Sequence, residues 1–212
     1  MINLNNFEKF VREKMVLKKN VFKPNLTSKL CFEVAKKNIH NKSKVLDLGC
    51  GSGIIGVLIK KDLKNIELFC SDNHLSSVNL TKKNLKKNNL SAVVKKGNLL
   101  DPWRGEKFDY IIDDVSAISS TVAFKSKWFS NNIPVESGED GTNLSIKIIE
   151  NAKKFLNKNG ILQIPILSLS DTEKIAKVIK KNFKKSKIVK SEKWFLPNEM
   201  LRYKTLLKKL KE

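Results

Sequence analysis

Val45-Leu46-Asp47-Leu48-Gly49-Cys50-Gly51-Ser52-Gly53 is the stretch on which the reading of this chain turns. An apolar run carries one carboxylate near its end, glycine then recurs at alternate positions, and Ile54-Ile55 follow at once. Glycine at that spacing belongs where the chain turns tightly and where a ligand lies against bare backbone. The pattern predicts a buried strand over Lys44–Leu48, a glycine turn, and a helix from Ile54 to Lys61. Gly51-Ser52-Gly53-Ile54-Ile55-Gly56 also satisfies the loose G-x-G-x-x-G pattern of dinucleotide binders. Asp47 sharpens that weak match. A pyrophosphate would be repelled by a carboxylate at the strand end, whereas a cationic ligand would be attracted. Asp72 closes the next strand, at a spacing suited to holding two ribose hydroxyls.

Outward from this motif, strands and helices alternate. Phe7, Phe10, Val11 and Met15 recur at helical spacing over residues 4–15, and Pro24 ends that region. Thr27 or Ser28 is placed to cap a second helix running to about Asn38. Further strands are predicted over Ile66–Cys70, Ala92–Lys95, Phe108–Ile112 and Ile161–Leu167, with a sixth starting at Lys187–Lys190. Helices are predicted over Ser76–Lys87, over Ser145–Leu156 with a stop at Asn159-Gly160, from an Asp171 cap to Phe183, and over Met200–Leu210. This alternation predicts an α/β fold, a doubly wound, mainly parallel sheet with helices on both faces. The longest irregular stretch, Asp113–Thr142, reads as functional on length alone.

Composition bounds the function classes. With 212 residues, 41% of them hydrophobic, the chain is long enough for one domain with a sizeable core. No run of eighteen apolar residues and no apolar leader core occur, so a membrane span and export are not expected, and a cytoplasmic location is. Cys31, Cys50 and Cys70 are widely spaced, and only His40 and His74 supply imidazoles, so neither a disulfide framework nor a metal centre is expected. The net charge is +21, almost entirely lysine; the arginines are Arg12, Arg104 and Arg202. Abundant Lys, Asn and Ile are what an AT-rich genome writes at positions that need only be soluble. The lysine excess from Lys174 to Lys211 nevertheless leaves room for a basic face that contacts RNA or a ribosomal protein.

On the Asp47–Gly53 loop and Asp72, the sequence resembles the class I S-adenosylmethionine-dependent methyltransferases over about residues 20–185. The resemblance implies one methyltransferase domain over 1–212, with residues 1–40 as a helical N-terminal lid. It implies S-adenosyl-L-methionine as cofactor, with Gly49, Cys50, Gly51 and Gly53 packing beneath it. Asp47 would face its ammonium end, Asp72 would take the ribose hydroxyls, and Asn73 and His74 would border the adenine. Asn98-Leu99, in Gly97-Asn98-Leu99-Leu100-Asp101-Pro102, stands where the family commonly has an acidic residue for the adenine amine; an amide can also serve that edge.

Glu136-Ser137-Gly138-Glu139-Asp140-Gly141-Thr142, with the helix after it, looks like the small-domain, release-factor glutamine N5-methyltransferase group. That group carries Asn-Pro-Pro-Tyr after the fourth strand. Here Asp114, Val115, Ser116 and Ala117 occupy those positions, so the substrate motif is altered. Asp114 or Asp113 is the candidate to orient an amine or hydroxyl and accept its proton, and Ser116 to add a hydrogen bond. Trp128, Phe129 and Glu136 are candidate walls of the acceptor pocket. Two alternatives stand beside a transferase of methyl groups to an N or O acceptor: a catalytically silent RNA- or protein-binding member of the fold, and a nicotinamide-dependent oxidoreductase.

Overall fold

β1 (Lys44–Leu48) is apolar on both faces, with Val45, Leu46 and Leu48 fully buried, and this sends it to the middle of a sheet. In the computed structural model, which describes residues 4–125 and 137–193, β1 lies between β2 (Glu67–Asp72) and β4 (Phe108–Asp113). β3 (Val93–Lys96) pairs outside β2, and β5 (Leu156–Gln163) outside β4. All four pairings are parallel, and the order among the described residues is β3-β2-β1-β4-β5. The winding direction therefore reverses at β1, and in such sheets ligands bind beyond the carboxyl ends of the strands at that reversal. Leu48 is in register with Ser71 on one side and Asp113 on the other, so the three strand tips lie level.

The described residues form two compact units: those up to Asp114 with Asn151–Pro165, and those from Val115 to Glu150 with those from Ile166 onward. The first holds the sheet, α1 (Leu4–Lys14), α2 (Leu26–Asn38), α3 (Ile54–Asp62) and α4 (Leu75–Lys87). The first six residues of α3 are all buried, because it packs against β1 and β2 and also against α2. Phe7 and Met15 of the N-terminal segment join the same core as Ile54, Ile55 and Leu58. That segment is held by Asn84 of α4, which is fully buried. Its Oδ1 accepts from Val16 N at 2.6 Å, and its Nδ2 donates to Val16 O at 3.0 Å and to Ser52 O at 2.8 Å.

The second unit contains α5 (Ser120–Lys125), α6 (Asn143–Asn151, the last residue excepted) and α7 (Thr172–Asn182). Its loops are cross-tied: Ser137 N donates to Ile118 O, Ser119 N to Leu169 O, and Asp171 N to Asp140 O. Gly141 has φ +77°, and a Cβ there would lie 2.6 Å from Ser119 N.

Several boundaries differ from the expected ones. Asn25, not Thr27 or Ser28, caps α2: its Oδ1 accepts from both of their backbone N–H groups. The helix expected over Ser145–Leu156 ends at Asn151, a short 3-10 turn covers Ala152–Phe155, and β5 begins at Leu156. Asn159-Gly160 does not stop a helix. It makes an irregularity inside β5, where the pairing with β4 jumps from Phe108↔Leu156 to Tyr110↔Ile161. Asn159 has φ +68°, and a Cβ on Gly160 would meet Phe108 O at 2.9 Å. Lys187–Lys190 is not a strand, and Ile188 is 88% exposed there, with no strand among the described residues to cover it. The helix expected at Met200–Leu210 and the candidate walls Trp128, Phe129 and Glu136 fall outside the described residues.

Replacing Asn84 by Ala would remove the side-chain partner of the half-buried Val16 N–H and carbonyl and of the buried Ser52 carbonyl. We expect a loss of about 2–4 kcal/mol in urea denaturation and faster proteolysis between α1 and α2. An unchanged midpoint would show that Asn84 does not hold the N-terminal segment.

Candidate functional site

The glycine turn is held from two sides. The N–H groups of Gly49 and Cys50 both donate to Ser71 O, at 2.9 and 3.0 Å, tying the turn to the tip of β2. From α4, Thr81 Oγ1 donates to Gly51 O at 3.1 Å, beside the Asn84 bond to Ser52 O. Gly51 and Gly53 have φ +54° and +78°, a region that side chains with a Cβ disfavour. The two differ in surroundings. A Cβ on Gly53 would strike Thr81 at 2.8 Å, whereas a Cβ on Gly51 would meet nothing nearer than Gly49 O at 4.0 Å. The backbone at Gly51 thus borders open space where a ligand can approach.

Four carboxylates lie at or next to the level strand tips: Asp47, Asp72, Asp113 and Asp114. Asp47 is 1% exposed. Its Oδ2 accepts from Gly56 N at 2.9 Å, in the first turn of α3, where the helix dipole favours negative charge. Its Oδ1 is buried with no hydrogen-bond partner among the described residues. Burial, opposed by the Gly56 N–H and reinforced by Asp72, pushes Asp47 up to about 7. Asp72 is half-buried and accepts from Gly51 N at 3.0 Å and His74 N at 2.9 Å, so it braces the glycine turn and the residue that precedes α4. Asp114 is half-buried; its N–H donates to Leu48 O at 3.0 Å, which sets it beside the end of β1. Burial, then the charges of Asp47 and Asp113, push Asp114 well above the usual carboxylate range, against a hydrogen bond from Ser28. Asp113 is buried at the tip of β4.

The remaining expected residues divide. Gly97 N donates to Asp72 O at 3.0 Å, which brings the Gly97–Leu100 turn next to Asp72. Within it Asn98 is exposed and Leu99 half-buried with φ +46°. Asn73 and His74 are exposed at the start of α4. Cys50 is buried, and burial raises the thiols of Cys31, Cys50 and Cys70, so none is an ionised nucleophile at neutral pH. Ser116 is half-buried and lies in the second unit.

Four contributors escaped the sequence reading: Thr81, Asn84, Gln163 and, as a partner of Asp114, Ser28. Thr81 and Asn84 had a signal, since polar residues at helical spacing on the inner face of α4 (Ser77, Thr81, Asn84) are unusual unless they hold something. Gln163 had none. It accepts from Tyr110 Oη at 2.7 Å and donates to Cys31 O at 3.0 Å, linking β4, β5 and α2.

The five-stranded parallel sheet, in the order β3-β2-β1-β4-β5 with helices packed on it, matches the class I S-adenosylmethionine-dependent methyltransferase fold. Solved structures agree with it: a ribosomal protein L11 methylase from Lactobacillus delbrueckii subsp. bulgaricus superposes with TM-score 0.57 at 21% identity, covering 76% of this chain and 70% of that one. A methyltransferase from Pyrococcus furiosus gives TM-score 0.57 at 18% identity, covering 84% and 82%. The family model described as the methyltransferase small domain matches residues 15–114, a little under half of this chain. Ribosomal RNA small subunit methyltransferase C of Haemophilus influenzae (strain PittGG) is 34% identical over 124 residues, 58% of this chain and 32% of that protein. A release factor glutamine methyltransferase of Clostridium botulinum (strain Hall) is 32% identical over 160 residues, 71% of this chain and 56% of that protein. The chain spans about a third to a little over half the length of these curated relatives. Neither the family match nor these relatives support a nicotinamide-dependent oxidoreductase.

The raised Asp47 carboxyl makes stability depend on pH. Between about pH 4 and 7 the folded chain keeps a proton that the unfolded chain has lost, so stability falls as pH rises through that window and stays lower above it. Each pH unit crossed within the window costs roughly 1.4 kcal/mol. We expect Asp47→Asn, which keeps an acceptor for Gly56 N–H, to melt above the unsubstituted protein at pH 8, with the gap closing by pH 4. A variant that melts lower at both pH values would make Asp47 a structural helix cap.

Proposed function

We propose that this chain is an S-adenosyl-L-methionine-dependent methyltransferase acting on a nitrogen or oxygen atom of the translation apparatus, in RNA or in a ribosome-associated protein, in the cytoplasm. The observation that carries it is the buried Oδ1 of Asp47, unpartnered among the described residues at the end of the central strand, taken with the open backbone of Gly51 and the Asp72 carboxylate that accepts from Gly51 N. A positive ligand group would satisfy Asp47 and offset its burial. Carboxylates of this kind suit a cofactor with an ammonium group and a ribose diol and disfavour a pyrophosphate. The names of the relatives, which point to ribosomal RNA, ribosomal protein and release factor, support the choice of acceptor.

The cofactor, when bound, supplies an electrophilic methyl group on a positively charged sulfur. This chain's residues do the rest. Asp47 would hold the ammonium end and Asp72 the ribose hydroxyls, the glycine turn would give close approach, and Asn73, Asn98 and Leu99 would border the adenine. Asp114 would orient the acceptor's N–H or O–H and take its proton, a task that its raised affinity for a proton suits. Asp113 and Ser116 are the further candidates for the acceptor side. Holding the acceptor in line is worth about 7–11 kcal/mol in such displacements. We read the whole chain as one methyltransferase domain, with residues 1–40 as its N-terminal cover. The exposed lysines of α7 and its continuation, Lys177, Lys180, Lys181, Lys184, Lys185 and Lys187, would meet a polyanionic acceptor.

Calorimetry with S-adenosylhomocysteine should give binding that falls at least about tenfold in Asp72→Ala and Gly51→Val, in line with a lost charged hydrogen bond or a blocked approach. Equal affinity in both variants would place the pocket elsewhere. Tritium from labelled S-adenosylmethionine should enter the RNA or protein of a ribosomal fraction, less so as salt rises, and Asp114→Ala should abolish transfer while cofactor affinity stays within a few-fold. Binding without transfer to any fraction would make the chain a silent member of the fold.

A further inference from the structure

Asp114 is met by a residue that neither the glycine motif nor the altered substrate motif points to. Asn25 caps α2 so that Thr27 and Ser28 occupy its first turn, and this turn reaches the tips of β1 and β4. Ser28 is 2% exposed. Its hydroxyl donates to Asp114 Oδ2 at 3.4 Å, across 86 residues of sequence. The helix that carries it is fixed independently. Gln163 Nε2 donates to Cys31 O one turn further along, and Tyr110 Oη holds Gln163 in place by donating to its Oε1. The hydroxyl therefore sits on a braced element, and a buried hydroxyl beside a carboxylate has few other partners to choose from.

We propose that Ser28 is a positioning residue for Asp114: it holds one carboxylate oxygen from α2 and leaves the other to meet the methyl acceptor. This deepens the methyltransferase reading and rests on it for the acceptor. The relation matters because the motif after β4 lacks the prolines that would stiffen it; Val115, Ser116 and Ala117 follow Asp114 instead. A hydrogen bond from a fixed helix can replace that stiffness. The charged and titratable groups around Asp114 are Asp113 at the end of β4, Asp47 on β1 and Cys31 on α2. All three, when ionised, oppose its charge, whereas the Ser28 hydroxyl favours the ionised form.

The test uses the full chain labelled with 13C at the aspartate carboxyls, with Asp114→Asn to assign the signal. In Ser28→Ala the Asp114 midpoint should move up by about one pH unit, the size expected for losing a hydrogen bond to a charged group, and Ser28→Thr should restore it. The melting temperature of each variant at pH 5 checks that the fold is intact. In parallel, transfer of tritium from S-adenosylmethionine into the ribosomal fraction should show a lower kcat in Ser28→Ala, an unchanged KM for the cofactor, and an alkaline shift of the rising limb of its pH profile. An unmoved Asp114 midpoint in folded Ser28→Ala overturns the proposal, and so does unchanged turnover. If the unsubstituted protein transfers no label, the methyltransferase reading fails, while the carboxyl titration still decides the Ser28 contact.

Discussion

A carboxylate buried at the end of the central strand, with only one of its two oxygens hydrogen-bonded among the described residues, is the constraint around which this molecule is arranged. Asp47 must be there for the first turn of α3, since its Oδ2 receives Gly56 N–H. It is costly there, since Oδ1 is buried and unpartnered. The surrounding chain limits that cost without removing it. Gly56 lacks a Cβ, and one there would lie 3.0 Å from Asp47 Oδ2 and 3.2 Å from Cys70 Sγ. Substitution at Gly56 would thus press directly on the carboxylate. Such a group is a natural receiver for a cation, and it lies on the strand at which the sheet winding reverses.

The glycine turn depends on a polar scaffold hidden behind it. Thr81 and Asn84, both fully buried, reach from α4 to carbonyls of Gly51 and Ser52, and Asn84 extends the same network to Val16. The N-terminal segment, the glycine turn and α4 are thereby one hydrogen-bonded assembly. Asp72 belongs to it as well, through Gly51 N–H. A ligand drawn to Asp72 would therefore be felt along the turn, and a loosened N-terminal segment would loosen the glycine turn.

Much of this was legible in the sequence. The glycine spacing, Asp47 and Asp72 were enough to place β1, the turn and α3, because each of these features is local in the chain. The winding followed from alternation of strands and helices. What was not legible depended on distant partners. Asn159-Gly160 has the composition of a helix stop, yet serves as an irregularity in β5, a role that exists only opposite Phe108. Lys187–Lys190 has strand-like residues but no described strand to pair with. Ser28 looked like a helix cap; its hydroxyl instead finds Asp114, a meeting that no spacing rule predicts. The acceptor side was the least readable part, since the motif after β4 departs from the pattern it resembles.

The central claim is that binding of a positively charged cofactor is coupled to ionisation of Asp47. It is tested most directly by calorimetric titration of S-adenosylmethionine at pH 6.5 in buffers of different ionisation enthalpy, which counts protons exchanged on binding. A carboxyl raised to about 7 is largely protonated there, and a neighbouring cation drives it to ionise. Release of a substantial fraction of one proton is expected, and its loss in Asp47→Asn. Binding with no proton release, or the same release in the variant, would contradict it.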